Sequence, residues 1–149
     1  MNISDFYIAT TLSVILGLIV EEYFGLISGG MIVPGILALH FYSWPSLFAI
    51  IVISLITYLL VEKVMSKYMI LFGKRKFSAM ILVALFLRIV LDSIYPLLPF
   101  ALVSIRGIGA ITPALLANNY SKQGVQYTLL SSFAVAIVIF IILNVYHMV

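Results

Sequence analysis

The sequence predicts an all-α integral membrane protein with four to six transmembrane helices, in two halves that each contain a Gly/Pro-broken segment. Three observations predict it. Apolar residues make up 64% of the 149 positions and charged residues only 9%, against roughly 25% charged in a soluble domain. This leaves too little polar surface to cover a soluble globule. The uncharged runs are long enough for helices of about 20 residues, the length that crosses a bilayer. Finally, Gly30-Met-Ile-Val-Pro34-Gly35-Ile-Leu-Ala38 and Gly109-Ala-Ile-Thr-Pro113-Ala-Leu-Leu-Ala117 share the pattern Gly-x-Ile-x-Pro-x-x-Leu-Ala. A break inside a membrane stretch frees backbone groups that lipid cannot satisfy, so it belongs inside the protein or along a cavity. Paired breaks in two halves point to a substrate site or path.

The elements follow from the charges. Residues Asn2 to Asp5 lack a basic n-region and no small-x-small cleavage site follows, so 7–20 reads as a retained first span and not as a cleaved signal. From Tyr23 to Val61 there is no Asp, Glu, Lys or Arg. That length suits two crossings with a tight turn near Tyr42-Ser-Trp44-Pro45, where Tyr42 and Trp44 suit an interface. The stretch from Glu62 to Lys76 then carries five of the eight basic residues and one acid. By the positive-inside rule it faces the cytoplasm. A third apolar block runs from Phe77 to about Leu98, the second broken segment occupies about 99–120, and 125–146 is a final span. The expected organisation is a single transmembrane domain over 1–149. Its pseudo-repeat halves, about 1–65 and 77–149, are joined by a basic cytoplasmic linker, 66–76, in a bacterial cell membrane.

The two prolines lie 79 positions apart, close to half the chain, which supports a duplication, although no register outside the shared pattern is convincing. Three crossings per half make the halves inverted, whereas a re-entrant broken segment gives two crossings each and parallel repeats. Residues 23–42 are long enough to cross despite Gly29, Gly30, Pro34 and Gly35, which favours six crossings.

The absence of cysteine excludes disulfides, thiolate catalysis and thiolate metal sites. His40 and His147 have no local carboxylate or second histidine at ligand spacing, so no metal is expected. Arg88 and Asp92, four apart on one helix, share a face. They form either a helix ion pair that fixes packing or, through the arginine, a cationic surface for an anion; charge at mid-membrane costs about 3 kcal/mol. Arg106 stands beside Gly107 and Gly109, permissive positions where backbone N–H groups turn toward an anion. The run Asn118-Asn119-Tyr120-Ser121-Lys122-Gln123 is either a loop between spans or the polar mouth of a path. Lys74, Arg75 and Lys76 serve either as topology determinants facing anionic lipid or as a dock for a cytoplasmic protein. No phosphate loop is present, and no nucleic-acid partner is expected.

Taken together, Tyr68 to Phe77, Asp92 to Pro96 with Pro99 and Phe100, Arg106 to Gly109, Pro113, Ala117-Asn118 and Gln123-Gly124 resemble the CapC/PgsC family. Val33-Pro34-Gly35 and Leu55 to Tyr58 agree with it in the first half. This family supplies a small membrane subunit of the bacterial poly-γ-glutamate synthase, which makes capsule or secreted polymer. The pattern departs at Ala114, where the family is expected to carry glycine. The resemblance implies that this chain holds no cofactor. A cytoplasmic Mur-ligase-like partner, CapB/PgsB, would bind ATP and Mg or another divalent metal and form the amide bond. Further membrane-associated synthase subunits, the lipid bilayer, the anionic polymer and further copies in a homo-oligomer are the other implied partners. Catalytic residues are not expected here. Each γ-linked glutamate carries a free carboxylate that hydrocarbon cannot take unpaired. Arg88, Arg106 and Lys122, with amides from Asn118, Asn119 and Gln123, are therefore the candidate polymer contacts. Lys74, Arg75, Lys76 and Phe77 are the candidate ligase dock. A small secondary transporter or channel for an organic anion is the alternative reading, and a packing scaffold a third.

Overall fold

The structure, a computed structural model, describes residues 3–41, 43–70, 72–94 and 111–148. It is all-α, with no strand among these residues. The helices are α1 (Ile3–Phe24), α2 (Val33–Leu39), α3 (Trp44–Leu59), a π-helical turn (Leu60–Met65), α4 (Ser66–Tyr68), α5 (Lys74–Ile94), α6 (Ile111–Gln123) and α7 (Val125–Met148). Three stretches among the described residues are long and apolar enough to cross a membrane: Asp5–Phe24, Trp44–Tyr68 and Val125–Tyr146. The second is α3 continued through the π turn into α4. Helix α5 has a similar length of 21 residues but opens on Lys74-Arg75-Lys76.

The chain forms two compact units. The first takes in α1, α2, the last two residues of α6, and α7; the second takes in α3 to α5 and the rest of α6. In the first unit α1, α2 and α7 pack against one another. Ala9, Val33, Leu37, Ala38, Ala136 and Ile139 are buried there. The rings of Phe41 and Phe133 meet edge to face at 6.3 Å, and Phe140 lies 5.3 Å from Phe41 on its other contact. In the second unit Val61, Ala79, Met80 and Ala117 form a core, with Tyr58, Met65 and Val83 packed against it. These residues tie the π turn, α5 and α6 together.

The first broken segment is shorter than a crossing. Glycines at positive φ (Gly25 64°, Gly29 78°, Gly30 100°) interrupt the helical order after α1, because only glycine takes this conformation without steric cost. Helix α2 then has seven residues with Pro34 in its first turn, where proline's missing N–H is no loss. Seven residues rise about 10 Å, a third of a hydrocarbon core of about 30 Å. In the second half the described part of α6, 13 residues, lies between α5 and α7.

Candidate functional site

The two Pro segments bury the same positions. In α2 the buried residues are Val33, Pro34, Gly35, Leu37 and Ala38. In α6 Thr112, Pro113, Ala114, Leu116 and Ala117 are buried, which are the same five positions displaced by 79. The isoleucines just before them, Ile32 and Ile111, are both exposed. The correspondence extends beyond the shared pattern. Phe41 becomes Tyr120 on the same displacement, and Phe133, the partner of Phe41, corresponds to Ser54, whose Oγ lies 3.0 Å from the Tyr120 hydroxyl. Tyr120 also meets Tyr58 edge to face at 6.0 Å. An aromatic residue seven positions after each proline therefore packs on a long helix. That signal is present in the sequence but lies outside the nine-residue pattern.

The freed backbone of the first break is satisfied by side chains. Gly35 N–H donates to Ser13 Oγ at 2.9 Å, and that hydroxyl donates onward to the Met31 carbonyl at 2.7 Å. Ser13 is fully buried. The approach of α1 is close: a Cβ on Gly35 would stand 2.7 Å from the Ala9 carbonyl oxygen and 2.9 Å from Ser13 Cβ. Gln123 holds Ile27 by both ends of its amide. The side-chain oxygen accepts from Ile27 N–H at 2.8 Å and the NH₂ donates to the Ile27 carbonyl. The same NH₂ donates to Thr128 Oγ1 at 3.1 Å, and Ser131 Oγ adds a second donor to the Ile27 carbonyl at 3.2 Å. The first break is thus held by polar groups. Its glycines are flexible by nature, but three polar side chains from α1, α6 and α7 pin it.

The candidate polymer contacts have different surroundings. Asn118 is half-buried, Asn119 is buried, Lys122 is exposed and Gln123 makes the Ile27 clamp. The run from Asn118 to Gln123 is the C-terminal part of α6 and not a loop. Arg88 is half-buried on α5. Arg106, Gly107 and Gly109 lie outside the described residues, as does the Asp92 side chain, so the Arg88–Asp92 pairing falls outside them too.

At the basic linker, Lys76 Nζ binds Glu62 at 2.6 Å, and Ser121 Oγ donates to the same carboxylate at 3.4 Å. Glu62 belongs to the π turn, so one carboxylate joins the ends of three elements. Lys63, Lys67, Lys74 and Arg75 are exposed and Phe77 is half-buried. Of the three candidate docking cations, Lys76 is engaged and Lys74 and Arg75 present their charge outward. His40 lies with Nδ1 2.8 Å from the Ile36 carbonyl, a contact within its own chain turn. Among the described residues no group of three or more His, Asp or Glu side chains comes together to hold a metal.

Comparison with known proteins follows the same lines. The family model for capsule biosynthesis CapC matches residues 12–129. The PGA biosynthesis protein CapC of Bacillus subtilis (strain 168) is 41% identical over 146 residues, covering 98% of each chain. The capsule biosynthesis protein CapC of Bacillus anthracis is 39% identical over 145 residues, covering 97% of each. No solved structure matches the chain.

Proposed function

Because the chain belongs to the capsule biosynthesis CapC family, we propose that it is the membrane subunit of a poly-γ-glutamate synthase. In this role it anchors a cytoplasmic ATP-dependent ligase and assists polymerisation and outward passage of the anionic polymer. The ligase, a Mur-ligase-like CapB/PgsB partner, holds ATP and a divalent metal; further synthase subunits and further copies of this chain complete the assembly.

The observation that carries the anchoring role is the start of α5. Three cations occupy its first turn, where the positive end of the helix dipole disfavours them by about 0.3–1 kcal/mol each. Lys76 recovers this by binding Glu62; Lys74 and Arg75 are exposed and gain nothing from the fold. Their placement suits a soluble acidic surface on the cytoplasmic side. For the polymer, the chemistry of the second half supports the reading. Arg88, Arg106 and Lys122 supply cations, and Asn118 and Asn119 supply amides. The inside-negative potential drives each carboxylate outward by about 2.3 kcal/mol per 100 mV. Gln123 is assigned both to the polymer and to the Ile27 clamp, the amide serving the path only through the segment it holds.

Reversing Lys74 and Arg75 to glutamate is expected to release the ligase from the membrane fraction while this protein still inserts. Unchanged co-purification overturns the docking role. In the same assay Arg106→Gln is expected to lower extracellular polymer with the ligase still bound; wild-type polymer and ligase activity in an intact complex overturn the polymer role.

A further inference from the structure

The described residues contain an apolar groove walled by Leu60, Val64 and Met65 of the π turn and by Leu82, Val83 and Phe86 of α5. Its volume is about 460 Å³, and Val64, Leu82 and Phe86 are exposed along it. We propose that this groove seats an acyl chain of an anionic phospholipid whose phosphate is held by Lys63 and Lys67.

No polar side chain lines the walls, so the buried part of the occupant is hydrocarbon. Charge complementarity decides what stands at its end. Lys63 lies within the π turn itself, beside Val64, and Lys67 follows in α4; both are exposed. The neighbouring carboxylate, Glu62, is already bound by Lys76 and Ser121, so it does not neutralise them. The depths agree as well. Leu60 is seven residues before Lys67, or about 10 Å along a helix, so the wall runs from the level of the cations about 10 Å toward the hydrocarbon. A protein helix about 10 Å across is a larger body than a groove of this volume takes in, whereas a single methylene chain fits. Lysines at an anionic leaflet attract it at about 1 kcal/mol each, and the apolar wall adds selectivity for a lipid over a free phosphate. Three of the wall residues, Leu60, Val64 and Met65, belong to the π turn, a feature frequent at functional sites.

The test is native mass spectrometry of the purified full chain supplied with equal amounts of phosphatidylglycerol and phosphatidylcholine. The wild type is expected to retain phosphatidylglycerol roughly thirtyfold over phosphatidylcholine, the scale that two lysines at about 1 kcal/mol each supply. Lys63→Gln with Lys67→Gln is expected to bring the two lipids close to equality. Leu82→Trp fills the groove from an exposed position and is expected to lower retention of both lipids at an unchanged unfolding temperature. Equal retention by the wild type, or undiminished retention by Leu82→Trp, overturns the proposal. The chain has no cysteine, so Leu82→Cys gives a single reporter in the assembled complex. A cross-link from it to another protein subunit also overturns the proposal, since the groove would then hold a partner.

Discussion

Ser13 makes a helix break tolerable where water is absent. Its hydroxyl accepts from Gly35 N–H and donates to the Met31 carbonyl, so one side chain satisfies a donor and an acceptor that the break has freed. A buried group left unpaired costs about 1–3 kcal/mol. Ser13→Ala should therefore lower stability by about that amount. Gly35→Ala should cost at least as much, because its methyl would stand 2.7 Å from backbone oxygen of Ala9 and backbone cannot swing aside as a side chain does. Thermal unfolding in detergent measures both, and a Gly35→Ala protein as stable as the wild type would mean that α1 and α2 are not in this contact. The break itself was legible from Gly30, Pro34 and Gly35. Ser13 was not, because a serine in an apolar span is ordinary and its partner is 22 positions away.

At the scale of elements, α6 does two jobs that its sequence presents as one polar cluster. Its first turns repeat the burial of α2, and Tyr120 packs on α3 through Ser54 and Tyr58. Its last residue, Gln123, reaches the first break. Read along the chain, Asn118 to Lys122 with Gln123 is a run of hydrophilic residues before Gly124. Only the helical period, which points Asn119 and Tyr120 inward and Lys122 outward, separates these roles. The start of α2 was similarly legible from Pro34, but its seven-residue length was not, since the apolar content of 23–42 is as high as in a crossing. The clamp gives a local prediction. Gln123→Leu keeps the size of the side chain while removing both bonds to Ile27, so the Ile27 amide should exchange with solvent roughly 10–100-fold faster, as expected for losing about one or two hydrogen bonds. Amides in the middle of α7 should be unchanged. Hydrogen exchange read by mass spectrometry resolves the two, and an unaltered Ile27 rate would show that Ser131, through the Ile27 carbonyl, holds the segment without the amide.

Over the whole molecule, the sequence halves and the compact units do not coincide. The repeat pattern and the basic linker divide the chain near residue 70, yet the first unit combines α1 and α2 with α7, and the second combines α3 with α5 and most of α6. Each unit thus draws helices from both halves. The contacts obey this exchange: Phe41 meets Phe133 and Phe140 of α7, as Tyr120 meets Ser54 and Tyr58 of α3. Period and charge report which residues are in membrane helices, but apolar helices in lipid carry no sequence mark of which neighbour they choose. A cut in the linker should therefore leave the fold assembled. Residues 1–69 and 74–149, expressed together as separate chains, are expected to co-purify from membranes through an affinity tag on one of them. Replacing Phe133 and Phe140 by alanine in the second fragment should weaken that association, because each removes a half-buried aromatic contact of about 0.5–1.5 kcal/mol beyond its area. Two fragments that insert but separate on purification would mean that each half folds by itself, as the linear repeat alone suggests.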